Sequence, residues 1–514
     1  MSYELKTLGW QNEGFFAFAD GVYYQNQFQK VNKYGIVQLE NLHSDDSEYR
    51  EEVKHYYSPA FSEIYKSSRE DDDPYENDRN FVYKIAPVSM DQWMQQMVRV
   101  YGDKGILGIG FVFASVFRDF FIKRYSFFPH LGLFGEKGSG KSKFGDSIQN
   151  FFFYKMQPFD LNSGTVVGFT RRLARVKNTA TFLEEYHDKI QEVMFQSMKG
   201  AYDGRGREKG RETTDNRTSI TNVYSSIIYA GQYYPVRDDN SLASRSILLS
   251  FIKESFTTEA VENYNILKAW EEQGLSSLIL DILKHRNLIE QNFHRVYGDL
   301  IKKIKKDLGE IEVQERMIHN YLALLTPAYI LWDQFTFPFT QEDFYNLCKE
   351  MIISTSDMIT DSEGLADFWN TFEYLCEMGV LVENRDYKFD TPLIVKVGVK
   401  KGGKKEIIDW KNEKREKILY IYLKKVYQDI HREMSRRGAE MFNDTTLKNY
   451  FRAKKYFIGG SVTTRMGDKS PSCYAFNYSQ MHNQNILNIE KTFSPDPDNI
   501  HPDPAKEEDQ ELPF

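Results

Sequence analysis

The segment Gly135–Ser142, with the sequence Gly-Glu-Lys-Gly-Ser-Gly-Lys-Ser, constrains this 514-residue chain more than any other feature. It fits the pattern GxxxxGK(S/T), in which glycines allow successive backbone N–H groups to turn toward phosphate oxygens at the start of a helix. The apolar residues 131–134 precede it and residues 144–150 can begin a helix, so the strand–loop–helix context of the motif is present. The sequence therefore predicts an α/β fold with a phosphate-binding loop; the alternative is a glycine-rich turn that matches by chance.

All eight residues of this loop are candidate ATP ligands: Gly135, Glu136, Lys137, Gly138, Ser139, Gly140, Lys141 and Ser142. In loops of this kind the lysine reaches the β- and γ-phosphates, a role that falls here to Lys141. The hydroxyl that follows, on Ser142, holds Mg2+. We therefore expect ATP and Mg2+ to bind at this loop.

A second, acidic element is needed to hold the metal and to align a water molecule. About forty residues after the loop, the apolar stretch 179–183 ends in Glu184 and Glu185. We expect Glu184 to support Mg2+ through water and Glu185 to polarise the attacking water. The alternative is an ordinary strand followed by a solvated acidic turn.

Two further polar residues follow in an order that suits hydrolysis of ATP. A third apolar stretch, 225–230, leads to Gln232, which is a candidate for orienting the water, although a polar residue at a strand end fits almost as well. Arg245 precedes another apolar stretch and is placed to reach the γ-phosphate of a neighbouring subunit as an arginine finger. For Arg245 the alternative is a surface salt bridge.

The order of these four elements resembles the AAA+ core of superfamily 3 helicases and of the helicase halves of phage, plasmid and mobile-element primase-helicases. The likeness covers roughly residues 90–330, and the aromatic helical segment before the loop and the Gly9-Trp10 strand start are also similar to those proteins. The pair Glu184-Glu185 departs from the commoner Asp-Glu. The resemblance implies an AAA+ fold and a hexameric, ATP-driven DNA helicase that acts on single-stranded or forked DNA in the replication of a phage or mobile element.

The resemblance also implies further contacts. Arg316 sits where a second arginine that senses ATP lies on a helical lid. The roughly 85 residues ahead of the helical segment are too few for a primase domain, so a separate primase is the expected partner. An ATP-switched replication initiator or loader that does not unwind processively is one alternative, and a regulatory, defence-type P-loop ATPase is another.

Two basic segments are candidates for DNA binding. Between Tyr202 and the third apolar stretch, three glycines interleave with Arg205, Arg207, Lys209 and Arg211. This spacing suits a loop or hairpin that tracks phosphates in the channel of a ring; a contact with the neighbouring subunit and a solvated loop are the alternatives. The second segment, 396–469, holds twenty Lys and Arg against nine Asp and Glu.

The second segment also has the pattern of a winged-helix module. Asp444 can begin a helix, residues 459–460 predict a turn into a strand, and 474–476 predict another strand. Within this pattern the candidate DNA contacts are Lys448, Arg452, Lys454 and Lys455. The neighbouring aromatic residues at 450, 451, 456 and 457 suit base stacking or, alternatively, a hydrophobic core.

The net charge of −8 hides this basic segment, because residues 494–514 carry seven acids and one lysine. This stretch is rich in proline and is predicted to be disordered. Its tip, Leu512, Pro513 and Phe514, resembles the tail tip of bacterial single-stranded-DNA-binding proteins and is a candidate for recruiting replication proteins. The alternatives are a solubilising tail and a tail that binds the basic segment of its own chain.

The complete pattern predicts six segments and a soluble protein. They are a small strand-rich N-terminal domain (1–85), a helical segment (86–130), the ATPase core (131–255), a helical lid or connector (256–389), a basic winged-helix-like module (390–492) and a disordered acidic tail (493–514). Three well-separated cysteines without nearby histidines exclude a disulfide scaffold and fit a reducing cytoplasm, bacterial or that of a phage-infected host. The most apolar stretch, 105–117, is shorter than a membrane span, so no membrane contact is expected.

Overall fold

The computed structural model divides the chain into two units, Met1–Thr360 and Asp361–Phe514. The residues that it describes are 2–40, 53–66, 75–210, 218–232, 234–235, 241–252, 257–311, 313–401, 404–437, 441, 444–454, 456–483 and 486–489. Each unit is described by itself.

The first unit begins with two small sheets. Their elements are β1 (Ser2–Glu4), β2 (Leu8–Trp10), β3 (Phe16–Phe18), β4 (Gly21–Tyr24), β5 (Gln27–Lys30), β6 (Ile36–Leu39) and β7 (Lys54–Tyr57), followed by the short helix α1 (Glu63–Lys66). One sheet has the order β1-β7-β6, and in the other the meander β2–β5 gains a fifth strand from Val176–Lys177, which pairs parallel to β2. The N-terminal strands are therefore joined by backbone hydrogen bonds to residues far along the chain.

Three helices precede the phosphate loop: α2 (Met90–Tyr101), α3 (Asp103–Val116) and α4 (Arg118–Tyr125). Helix α2 begins with a capping box, in which Ser89 and Gln92 satisfy each other's backbone N–H groups. Helix α3 is buried from Gly105 to Val116, which explains why it is apolar on all sides. No single helix among the described residues is long and apolar enough to cross a membrane, and α3 and α4, which together would be, are bent by 70° at their junction.

The centre of the first unit is a parallel sheet in alternation with helices. The elements in chain order are β8 (His130–Gly135), α5 (Lys141–Phe152), β9 (Phe159–Asp160), α6 (Val166–Ala174), β10 (Val176–Lys177), β11 (Ala180–Tyr186), α7 (Glu192–Tyr202), β12 (Arg207–Gly210), β13 (Thr218–Thr221), β14 (Ser226–Gly231) and β15 (Ser246–Phe251). The sheet order is β15-β8-β14-β11-β9, and every neighbouring pair is parallel. Strand β14 is wholly buried, as expected for a central parallel strand. The predicted α/β class is confirmed.

Five helices follow the sheet: α8 (Thr258–Gln273), α9 (Ser277–Leu283), α10 (Arg286–Leu308), α11 (Glu315–Ile330) and α12 (Gln341–Glu377). Helix α11 is buried along most of its length from Met317 to Ala328. Its N-terminal half lies close to the segment before β15, because Asn320 donates to the carbonyl oxygen of Ser244 at 3.1 Å.

The second unit combines an antiparallel sheet with helices. Its elements are β16 (Tyr387–Asp390), β17 (Ile394–Lys401), β18 (Lys404–Lys411), β19 (Ile418–Ile421), α13 (Leu423–Arg436), α14 (Asp444–Ala453), β20 (Phe457–Thr463), β21 (Ser472–Asn477) and α15 (Tyr478–Asn483). The sheet order is β16-β19-β21-β20, and β17 and β18 form a separate hairpin. The turn predicted at 459–460 is wrong, since these residues lie within β20, where the pairing with β21 shifts register.

Candidate nucleotide-binding site

Three of the predicted catalytic elements meet at one edge of the parallel sheet. Gly231 of β14 pairs with Phe134 of β8 on one side and with Tyr186 of β11 on the other. Since the strands are parallel, the loop that follows β8, Gln232 after β14, and the two glutamates just before Tyr186 all lie at the carboxyl edge. This is the edge at which ligands bind in open α/β sheets.

The phosphate loop has the backbone conformation that its glycines allow. Gly138 and Gly140 have φ angles of 83° and 91°, a left-handed region that side chains rarely adopt. Gly135 is required for a different reason, because a Cβ atom there would collide with the carbonyl oxygen of Phe251 on the adjacent strand β15. A tight turn results, in which the N–H of Ser139 donates to the carbonyl oxygen of Glu136 at 3.2 Å.

The loop ends in helix α5 without a side-chain cap. Its N-cap residue is Gly140, and no side chain accepts a hydrogen bond from the first turn. Lys141 donates through Nζ to the carbonyl oxygen of Glu136 at 3.3 Å, so the amine lies against the loop. The Oγ atom of Ser139 is buried and has no hydrogen-bond partner among the described residues. Uncapped N–H groups, an amine and an unpaired hydroxyl are the donors that a phosphate group would satisfy.

The donor set also fits a magnesium ion. Ser142 is the second residue of α5, and Glu184 lies on β11 at the same edge of the sheet. The described residues contain no group of three or more His, Cys, Asp or Glu side chains that could enclose a metal. A hydroxyl and one or two carboxylates suit Mg2+, which keeps several waters and shares phosphate oxygens rather than occupying a protein cage.

The two glutamates differ in exposure and in backbone conformation. Glu184 is half-buried and pairs across the sheet with Asp160 of β9. Glu185 is exposed and has a φ angle of 58°, at the point where the pairing of β11 with β14 shifts register. The sequence predicts a strand that ends in these two glutamates, and β11 includes both and continues one residue further, to Tyr186. Both glutamates therefore lie at the carboxyl edge of the sheet, where the pairing of β11 with β14 is irregular.

Asp146 is an acidic residue near the site that the sequence pattern did not reveal. It lies on α5, and its pKa is raised to about 7, first by burial and then by the charge of Glu184. Lys268 acts in the opposite direction. No spacing rule links a residue on this helix with a glutamate on β11, so the relationship emerges only from the packing of α5 against the sheet.

Arg245 and Arg316 lie together at the opposite edge of the sheet. Arg245 immediately precedes β15, whose first residue, Ser246, pairs with His130 at the start of β8. Arg316 donates through Nη1 to Oγ of Ser244 at 3.1 Å. Both guanidinium groups are therefore remote from the phosphate loop of their own chain, so Arg316 could sense only an ATP molecule bound to a neighbouring subunit.

The arginine pair has the properties of an anion-binding group. Burial lowers the pKa of Arg245, and the positive charge of Arg316 lowers it further. Arg245 donates through Nη1 to the carbonyl oxygen of Ser241 at 2.7 Å, but its buried Nε atom has no hydrogen-bond partner in the described part of the chain. Two neighbouring guanidinium groups with an unused donor favour an anion from outside the chain.

The first basic segment forms a hairpin. Strands β12 and β13 pair antiparallel between Arg207–Gly210 and Thr218–Thr221. Arg205 lies before the hairpin and donates its backbone N–H to the carbonyl oxygen of Gly200 at 2.9 Å. Arg207 and Lys209 are described by their backbone alone, and Arg211 lies outside the described residues.

The second unit separates its aromatic residues from its basic ones. Phe451 and Tyr456 are buried in the hydrophobic core, so the core alternative holds for these two. On helix α14, Lys448 forms an ion pair with Asp444, and Arg452 is exposed. Lys454 lies at the end of that helix and is half-buried.

Several further predicted contacts have no structural description. Lys455 lies outside the described residues, and so do the tail residues Leu512, Pro513 and Phe514.

Comparison with solved structures shows the fold. The SCCmec type IV Cch protein, an active helicase, matches with a TM-score of 0.50 and 14% identity over 94% of this chain and 80% of that chain. The C-terminal region of NrS-1 matches with a TM-score of 0.26 and 12% identity over 77% of each chain, and a JCV helicase matches with a TM-score of 0.20 and 13% identity over 46% of this chain and 71% of that one. We draw no conclusion from these last two at such scores. No protein-family model and no curated protein matches the sequence. The chain thus has the fold of a helicase-type ATPase.

Proposed function

We propose that this chain is an AAA+ DNA helicase of the superfamily 3 type that forms a ring and hydrolyses ATP at subunit interfaces. The observation that carries the proposal is the division of the site between two edges of one sheet. The phosphate loop, Glu184, Glu185 and Gln232 lie at the carboxyl edge. Arg245 lies at the amino edge. A site that needs both halves is complete only when a second subunit presents its amino edge, and six copies would close a ring.

Each residue then has a defined task at the interface. Lys141 holds the β- and γ-phosphates, and Glu185 accepts a proton from the attacking water while Gln232 orients it. The charge of Mg2+, held by Ser142 and by Glu184 through water, neutralises charge on the phosphate oxygens. Arg245 of the neighbouring subunit, beside Arg316, stabilises the negative charge that develops on the γ-phosphate.

Two elements are proposed to contact DNA. The hairpin β12–β13 carries Arg205, Arg207, Lys209 and Arg211 on and beside its arms and would follow the phosphates of one strand in the channel. In the second unit, β19 is followed by the two helices α13 and α14 and by the antiparallel strands β20 and β21, which supports our proposal of a winged-helix module with α14 as the helix that meets DNA. Its contacts are Lys448, Arg452, Lys454 and Lys455.

The biological setting is proposed from the resemblance of the sequence. We assign the helicase to replication of a phage or mobile element, with a separate primase as its partner. Leu512, Pro513 and Phe514 would recruit that partner. Removal of these three residues should abolish capture of the primase in a pull-down while leaving ATP hydrolysis intact, and unchanged capture would contradict this role of the tip.

One assay ranks the functional alternatives. ATP hydrolysis is measured with and without single-stranded DNA, beside strand displacement on a forked duplex. Stimulation together with displacement supports the helicase, and stimulation without displacement supports an initiator or loader. A rate of ATP hydrolysis that is the same with and without DNA supports a regulatory ATPase.

A further inference from the structure

The side chain of Tyr202, at the end of α7, contacts both arginines of the amino edge. The Cζ atoms of Arg245 and Arg316 are each 5.8 Å from the centre of its ring. Its hydroxyl group donates to Oδ1 of Asn320 at 3.1 Å, and Asn320 donates to the carbonyl oxygen of Ser244 at 3.1 Å. The ring thus contacts two like charges and is hydrogen-bonded to the helix that carries one of them.

The backbone of Tyr202 belongs to the base of the hairpin β12–β13. Its carbonyl oxygen accepts a hydrogen bond from the N–H of Phe128 at 2.7 Å. On either side of the hairpin, the carbonyl oxygens of Ala201 and Val223 accept hydrogen bonds of 2.9 Å from Nη2 and Nη1 of Arg118. Arg118 is 3% exposed. Its planar guanidinium group holds the two ends of the segment that contains the hairpin at a fixed separation.

These contacts join the hairpin and the arginine pair through one residue. Because the base is clamped at Ala201 and Val223, a force on the hairpin arms is transmitted to the end of α7 rather than absorbed by a loose loop. The end of α7 is Tyr202, and its ring cannot tilt without changing the distance to both guanidinium groups. Chains of packed side chains and hydrogen bonds of this kind can carry coupling between sites.

We propose that Tyr202 is a positioning residue that couples DNA contact at the hairpin to the placement of Arg245 and Arg316 against the neighbouring subunit's ATP. The inference rests on the proposed function and adds the residue through which DNA regulates hydrolysis. Tyr202 itself touches neither ATP nor DNA in this scheme. Its effect is confined to how strongly DNA binding changes the rate of ATP hydrolysis.

The test uses the full chain with Tyr202→Leu, which removes the ring and the hydroxyl group. The matched control is Tyr224→Leu. Tyr224 directly follows Val223, at the other end of the base of the hairpin, and its hydroxyl group contacts Asn222 rather than an arginine. ATP hydrolysis is measured without DNA and with a saturating single-stranded oligonucleotide, and affinity for the oligonucleotide is measured separately. We expect Tyr202→Leu to lower the stimulation by DNA roughly fivefold or more, with affinity changed less than about twofold, while Tyr224→Leu retains wild-type stimulation.

A second variant, Tyr202→Phe, keeps the ring and removes the hydrogen bond to Asn320. We expect a smaller loss of stimulation at an unchanged thermal midpoint. Wild-type stimulation in a folded Tyr202→Leu variant overturns the proposal, and wild-type stimulation in Tyr202→Phe overturns it if the leucine variant does not fold. If the wild-type chain hydrolyses ATP at the same rate with and without DNA, the proposed function is overturned as well. The wild type is measured first, so this result is known before any variant is compared.

Discussion

Gly135 and Arg245 lie at opposite ends of one pair of adjacent parallel strands. Phe251 pairs with Gly135, and five residues earlier Ser246, which follows Arg245, pairs with His130. Five residues of extended strand span about 16 Å, a distance that the arginine side chain does not bridge. Arg245 therefore does not reach a nucleotide bound at the phosphate loop of its own chain, and under the proposed function it acts on the ATP of a neighbouring subunit.

Mixing two inactive variants tests this separation. We expect Lys141→Ala and Arg245→Ala each to lack hydrolysis, because one loses the phosphate contact and the other loses the finger. In a mixed ring, the intact phosphate loop of an Arg245→Ala subunit can lie next to the intact Arg245 of a Lys141→Ala subunit. An equal mixture should recover activity at roughly a quarter of the interfaces. Absence of recovery, with mixed oligomers demonstrated by cross-linking, would show that both residues act within one chain.

The phosphate loop itself is tested by a lysine pair. Lys141→Ala should lower ATP hydrolysis at least about a hundredfold, since the γ-phosphate loses its compensating charge. Lys143, two residues further on α5, is exposed and stacks over the Tyr264 ring at 4.3 Å. Lys143→Ala should therefore retain turnover within about twofold, because an exposed cation contributes little. Turnover by Lys141→Ala at the level of its control would refute the site.

The exposed carboxylate at the bulge of β11 is expected to act on water and not on binding. Glu185→Gln keeps the size and the polarity of the side chain but removes its basicity. We expect hydrolysis to fall by roughly a hundredfold or more with ATP affinity preserved, as measured by single-turnover kinetics beside equilibrium binding. Glu192→Gln, at an exposed position on α7, is the control and should hydrolyse ATP normally. Loss of ATP affinity in Glu185→Gln would instead indicate a role in holding the nucleotide.

The contact between Gly135 and Phe251 predicts a difference between two glycines of the loop. In Gly135→Ala the added methyl group meets the carbonyl oxygen of Phe251, so strand β15 must move away from β8. In Gly138→Ala the methyl group meets no atom within 4 Å, and only the left-handed backbone opposes it. We expect a loss of roughly 1–2 kcal/mol in the free energy of unfolding for Gly138→Ala and a larger loss for Gly135→Ala. Equal losses in chemical denaturation would contradict the close approach.

A buried carboxyl between α5 and α8 predicts a pH dependence of stability. Burial raises the pKa of Glu271 to about 7, and the charge of Asp146 acts in the same direction, although Asn150 donates to the carboxyl at 3.1 Å. The folded state then binds this proton more tightly than the unfolded state. The resulting stability is present at low pH and is lost as the pH rises toward 7.

Glu271→Gln removes this titration. Relative to the wild type, the variant should gain on the order of 2 kcal/mol in unfolding free energy between about pH 5 and about pH 8. Glu272→Gln, at the exposed neighbouring position, should follow the wild type at both pH values. A difference between Glu271→Gln and the wild type that does not change with pH would exclude this carboxyl as the titrating group.

Much of the nucleotide site followed from the sequence because its chemistry is local. A loop of this kind needs glycines at fixed positions, a lysine and a hydroxyl at the first turn of a helix, and an apolar strand before it, so Gly135–Ser142 could be recognised with its flanking elements. Glu184 and Glu185 could be named because an apolar stretch that ends in acids is also a local pattern. The register shift of β11 at these residues has no such signal.

Relationships that depend on the order of the strands could not be derived in this way. The pairing of β15 with β8 puts Arg245 at the far edge, and helix packing puts Asp146 near Glu184 and Tyr202 against both Arg245 and Arg316. Likewise, the alternation of aromatic and basic residues after Asp444 fits a stacking surface as well as a core, and only burial assigns Phe451 and Tyr456 to the core. The sequence by itself determined which residues can handle a phosphate group, because that depends on neighbours along the chain. The tertiary structure decided which of them can share one phosphate group, because that depends on strands and helices far apart in sequence.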